Sequence, residues 1–94
     1  MDEMERGLLE MLLDMYLDDL DSMIGEYIST EEFINRPDEL TQIGKLWLDG
    51  FVLGLFLGIR SIRGDETRVS ERDLDTISQM VENREAQIVN RLLR

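Results

Sequence analysis

From Leu46 to Ile59 the chain is apolar except at Asp49 and at three glycines, Gly50, Gly54 and Gly58. The glycines recur every four residues, so in a helix they form one ridge, and Gly44 adds a fourth glycine to the same segment. Each glycine in a helix interior costs ~1 kcal/mol against alanine. Four together cost about 4 kcal/mol, close to the net stability of a small domain. A close backbone approach by another helix is the compensation this pattern predicts, within one chain or between two copies. Glycine ridges of this kind are familiar between membrane helices. The apolar run, however, spans only about 21 Å as a helix, short of a ~30 Å hydrocarbon core. The run therefore reads as the buried central helix of a soluble cytoplasmic protein with no membrane partner.

That helix has no polar face, and such a helix needs cover on every side. Two further helices from a 94-residue chain can hardly enclose it. A homodimer built on the glycine-rich helix is therefore expected, with Trp47, Gly50, Phe51, Gly54, Phe56 and Gly58 at the packing surface or oligomer interface. The stripe Lys45–Asp49–Val52/Leu53–Phe56–Arg60 is polar at its ends and apolar in its middle, the pattern of an interface core with a polar rim. On this reading Gly54→Leu disrupts a tight crossing and lowers stability or oligomeric state. The alternative cover is a short turn at Phe33 and Ile34.

The flanking segments also read as helices. Leu9, Leu13, Tyr16, Leu20, Met23 and Tyr27 follow alternating four- and three-residue spacing, which predicts an amphipathic helix over about 2–28. Ser29 and Glu32 have capping-box spacing and predict a short helical turn near 30–35. Pro37, followed by Asp38 and Glu39, predicts the start of the central helix, over about 37–63. Arg60 and Arg63 suit its C-terminal end and Gly64 a left-handed cap. Ser70 with Asp73 predicts the start of a last helix over about 70–92, burying Leu74, Ile77, Val81, Ile88 and Leu92. The fold class is all-α, a small three-helix bundle plus one short helical turn, in a single domain over 1–94. No strand alternation is visible.

Composition narrows the chemistry. The chain has no cysteine and no histidine. That removes thiolate nucleophiles, Ser–His arrangements and the usual zinc ligands. Carboxylate pairs at Asp18/Asp21 and Glu82/Glu85 have spacing that suits Mg²⁺ on facing helices. No neighbouring lysine or histidine completes a phosphate site, so no enzyme, catalytic residue, metal or cofactor is expected. A Mg²⁺-dependent nucleotide hydrolase is the catalytic rival. The net charge of -11 argues against nucleic acid as a direct partner, which needs a basic surface.

The negative charge is concentrated near the start: residues 1–30 hold nine acids and one base, Arg6. Glu10, Asp14, Asp18 and Asp21 line one side of the first helix, and like charges at this spacing repel slightly. The row is a candidate docking surface for a basic, nucleic-acid-handling protein, which the chain would block or regulate. Phage and mobile-element inhibitors work in this way, an analogy of composition only. Arg84, Arg91 and Arg94 form a stripe on the last helix. They are placed to pair with acids of the first helix or of a second subunit, or to hold an anionic ligand. The expected function is thus a non-catalytic acidic interaction protein. Its rivals are an adaptor gripping an apolar partner helix and an anionic-ligand sponge or sensor at a subunit interface.

Overall fold

The computed structural model describes residues 1–19, 30–35, 39–64 and 68–92. In chain order its elements are α1 (Glu3–Leu17), α2 (Thr30–Phe33), β1 (Ile34–Asn35), β2 (Glu39–Leu40), α3 (Gln42–Arg63), α4 (Glu71–Asn83) and α5 (Glu85–Leu92). The architecture is mostly helical, with one antiparallel pair of two-residue strands in register Ile34↔Leu40 and Asn35↔Glu39.

Helix α1 starts at a capping box absent from the sequence reading. Asp2 accepts from the Glu5 N–H at 2.7 Å, and Glu5 accepts from the Asp2 N–H at 3.1 Å. Leu9, Leu13 and Leu17 then enter the core at four-residue spacing, while Tyr16 stays partly exposed. The helix ends at Leu17, with Asp18 as its C-cap. Leu20, Asp21, Met23 and Tyr27, placed on the same helix by their spacing, lie outside the described residues, as does Ser29.

The start of α3 corrects the sequence expectation. Pro37 is outside the described residues, and α3 begins five positions later, at Gln42. Backbone pairing decides this. Residues 39–40 are extended against β1, and the Thr41 N–H continues the pairing by donating to the Phe33 carbonyl at 2.8 Å. The Thr41 side chain then caps α3 by accepting from the Gly44 N–H at 3.0 Å. Two-residue strands are too short to show alternation, so periodicity could not announce them. At its other end α3 closes as predicted, with Gly64 at φ 75° and Arg60 and Arg63 in the last turn. At 22 residues, α3 is long and apolar enough by composition to cross a membrane.

The Ser70–Asp73 capping box is present, with both reciprocal hydrogen bonds at 3.1 Å. The expected single last helix breaks at Arg84, where φ is -108°. The bend turns α5 onto β2, so that Ile88, Val89 and Leu92 join the core beside Leu40. Leu74, expected inside, is 44% exposed. The buried side chain of that first turn is Asp73, because its carboxylate meets the Met1 ammonium. The remaining core comes from Phe33, Ile34, Leu48, Val52, Phe56, Ile59, Ile77, Met80 and Val81.

Candidate interaction surfaces

The core fixes which way α3 faces. Leu48, Val52 and Phe56 are fully buried, and Ile59 nearly so. All four charged residues of α3 also reach back to neighbouring elements. Lys45 lies 3.6 Å from Glu85 on α5, and Asp49 accepts from the Ser78 hydroxyl on α4 at 3.1 Å. Arg60 donates to Glu5 on α1 at 2.9 Å, and Arg63 reaches Asp2 at 3.5 Å. The Lys45–Asp49–Phe56–Arg60 stripe, read from sequence as an interface, is therefore the helix's inner face. Phe56 packs inside the monomer, under the Arg60 guanidinium, which sits 4.3 Å from its ring centre.

The opposite face is uncharged, and nothing among the described residues closes over its glycines. It carries Ile43, Leu46, Gly50, Gly54, Leu57, Gly58 and the exposed Ser61, which helical spacing places together, while Leu53 at its edge packs partly against the core. Ile43 and Leu46 are each 61% exposed. A Cβ built on Gly50, Gly54 or Gly58 meets nothing within 4 Å, so no part of the described chain closes on this ridge. The close approach predicted for the glycines exists at Gly44 instead. There a Cβ would sit 2.7 Å from the Phe33 carbonyl oxygen. Thus α2 does cover α3, but only at its first turns. Trp47 and Phe51 lie between the two faces and stack at 5.6 Å. Phe33 meets Trp47 edge-on at 5.5 Å, and Tyr16 meets Phe51 edge-on at 5.5 Å, a row that ties α2 and α1 to this flank.

The acidic row of α1 is partly answered from within. Arg84 donates to Asp14 at 2.9 Å and Arg91 to Asp18 at 2.7 Å. The arginine stripe of the last helix therefore meets acids of the first, one of the two pairings its sequence suggested. Both carboxylates remain exposed, and such pairs contribute ~0–1 kcal/mol. Glu10 lies 3.8 Å from Arg6, whereas Asp21 and Arg94 are outside the described residues. Among the described residues, no group of three or more carboxylates is arranged to hold a metal ion.

A third feature was not foreseen. A cleft of about 550 Å³ lies where the starts of α1 and α4 meet the end of α3. Its floor is a buried ionic cluster. The Met1 ammonium lies 2.6 Å from Asp73, both almost fully buried, and Arg60 bridges Glu5 and Asp73. Burial opposes ionisation of Asp73, but hydrogen bonds from the Met1 ammonium and from Ser70 outweigh it and lower its pKa to about 2. The Arg60 hydrogen bond likewise lowers Glu5 against the effect of burial. Asp2 is lowered chiefly by the Glu5 N–H. Asp49 moves the other way, raised by burial despite the Ser78 hydrogen bond. The cluster joins three helix ends, and its cations and carboxylates already satisfy one another. The Asp2-x-x-Glu5 spacing was the available sequence signal for one half of it.

Geometry therefore defines a small helical protein with one open apolar helix face and an acidic flank. In comparisons with known proteins, the chain matches no family, no curated protein and no solved structure.

Proposed function

We propose that this chain is a non-catalytic interaction protein of the cytoplasm, and that the open face of α3 is its main docking surface. One observation carries the reading. The helix turns every charge it has toward its own chain and presents leucine, isoleucine and glycine outward, with Ser61 the one polar side chain on the glycine line. A solvated helix does the reverse, and exposed apolar patches mark interaction sites. The homodimer expected from the glycine ridge is one use of this face, and gripping a partner's apolar helix is another. The test is a pull-down across a salt gradient, comparing the wild type with a Leu46→Gln/Leu57→Gln double variant. Complexes that resist high salt and vanish with the variant are the expected result. Binding that the variant leaves unchanged overturns the reading.

A second reading is supported by the charge distribution. Glu10, Asp14 and Asp18 lie along α1, and Asp14 and Asp18 remain largely exposed even where arginines reach them. A basic, nucleic-acid-handling partner could replace Arg84 and Arg91 on Asp14 and Asp18. Such a complex weakens steeply with salt and is lost in an Asp14→Asn/Asp18→Asn variant.

A further inference from the structure

Resting on the reading of α3 as a docking surface, we infer that its occupant is a second copy of this chain, related by a two-fold axis close to Gly54. Charge selects the occupant first. The chain carries a net charge of -11, so two copies repel one another over most of their surface. The outward face of α3 is where that repulsion is least, because Lys45, Asp49, Arg60 and Arg63 are all held by groups of their own chain. The same property disfavours the rivals. A basic protein finds no carboxylate on this face. An anionic bilayer finds no outward cation there, since the helix's lysine and arginines are already engaged.

Shape then favours a copy over an unrelated helix. The glycines at 50, 54 and 58 leave a trough, and a Cβ placed at any of them enters open space. Exposed Ile43 and Leu46, each at 61%, and Ile62 at 90% stand beside the trough, with Leu57 partly exposed. A surface that carries both a trough and a ridge along one helix can be complementary to itself under a two-fold rotation, as an isologous interface requires. The middle glycine, Gly54, is the natural point for the axis.

The area suits a weak, reversible dimer. Helix α1 packs beside α3, as the Glu5–Arg60 and Tyr16–Phe51 contacts record. Two such helices make a slab ~20 Å wide, and a 22-residue helix is ~33 Å long. Because α1 has only 15 residues, ~22 Å, the two helices offer at most roughly 550 Å² in projection, below the ~800 Å² per partner of a standard interface.

The test uses analytical ultracentrifugation across the micromolar range, with cysteine cross-linking in a chain that has no cysteine of its own. A reversible dimer is expected, lost in Gly54→Leu while the helical circular dichroism is kept. Gly54→Cys should cross-link to itself on mild oxidation, because a two-fold axis there brings both Cα atoms within the ~6 Å of a disulfide. An antiparallel crossing further requires that Gly50→Cys and Gly58→Cys cross-link with each other when mixed, and poorly alone. A dimer indifferent to Gly54→Leu, or a monomer throughout the range, overturns the inference. Binding of the monomer to neutral lipid vesicles overturns it in favour of a bilayer. For a monomer, the dye anilinonaphthalene sulfonate separates the two failures. Dye binding that disappears in Leu46→Gln/Leu57→Gln leaves the docking surface standing without its second copy. No dye binding by the wild type removes both.

Discussion

Gly44 and Gly54 occupy the same helix and have opposite surroundings. A methyl group at Gly44 would meet the Phe33 carbonyl oxygen, whereas one at Gly54 would meet nothing. The first glycine is required by contact inside the chain. The second lowers helix stability with no return from the described residues, so its return must come from outside them. The same contrast divides the whole of α3. Its inner side holds the core and every charge, and its outer side holds neither. A residue's place around α3 thus predicts whether a substitution disturbs the monomer or only its associations.

The largest expected effect lies on the inner side. Phe56→Ala removes a fully buried ring and should cost about 3–5 kcal/mol. Chemical denaturation should show a variant mostly unfolded, or nearly so, without denaturant. A loss below about 1 kcal/mol would place Phe56 on the outer side after all.

The ionic cluster supplies the next effect. The Asp73 pKa is about 2 when folded, against 3.8 for the ordinary side chain. Its carboxylate therefore stabilises the fold fully above pH ~4, and this contribution is lost as pH falls toward 2. The difference amounts to about 2 kcal/mol, and Glu5, lowered too, adds to it in the same direction. Acid titration of the melting temperature should show the loss in the wild type and a flatter profile in Asp73→Asn. The variant should also be less stable at neutral pH, because the Met1 ammonium loses its charged partner.

The two glycines give the sharpest comparison. Gly44→Ala gains ~1 kcal/mol of helix propensity but forces the backbone of α2 away, for a net loss of about 1–2 kcal/mol. Gly54→Leu, measured at dilution where any association is absent, should raise the melting temperature, by about 4–8 °C per kcal/mol gained. This reverses the stability half of the expectation drawn from sequence and leaves its oligomeric half to the dimer test. A fall in Gly54→Leu stability at dilution would mean that the ridge is packed within the chain and would erase the contrast.

The smallest effect belongs to the acidic flank. Asp14→Asn with Asp18→Asn removes two exposed pairs and some like-charge repulsion, so stability should change by less than ~1 kcal/mol. Thermal melts at low and high salt should nearly coincide for this variant. A loss of several kcal/mol would make Arg84 and Arg91 structural anchors rather than surface partners.

Residue spacing alone reveals the helical class, the Gly64 stop of α3, the Ser70–Asp73 start of α4, and a core drawn from Leu9, Leu13, Ile77 and Ile88. These depend on interactions within a turn or two of helix, which spacing records directly. The sequence also raises the expectation that some face of the central helix lacks cover, since apolar residues surround it and the chain is short; the alternative cover, a turn at Phe33 and Ile34, reaches only its first turns. Which face that is depends on contacts between distant parts of the chain. Periodicity cannot choose a side on a helix that is apolar all round, and the choice fell to groups distant in sequence: Glu5 on Arg60, Ser78 on Asp49, Phe33 on Gly44. The late start of α3 and the bend at Arg84 have the same origin. A strand pair and the docking of α5 on β2 outweighed local helix signals, because backbone pairing and burial are contributed by residues that the local sequence does not contain.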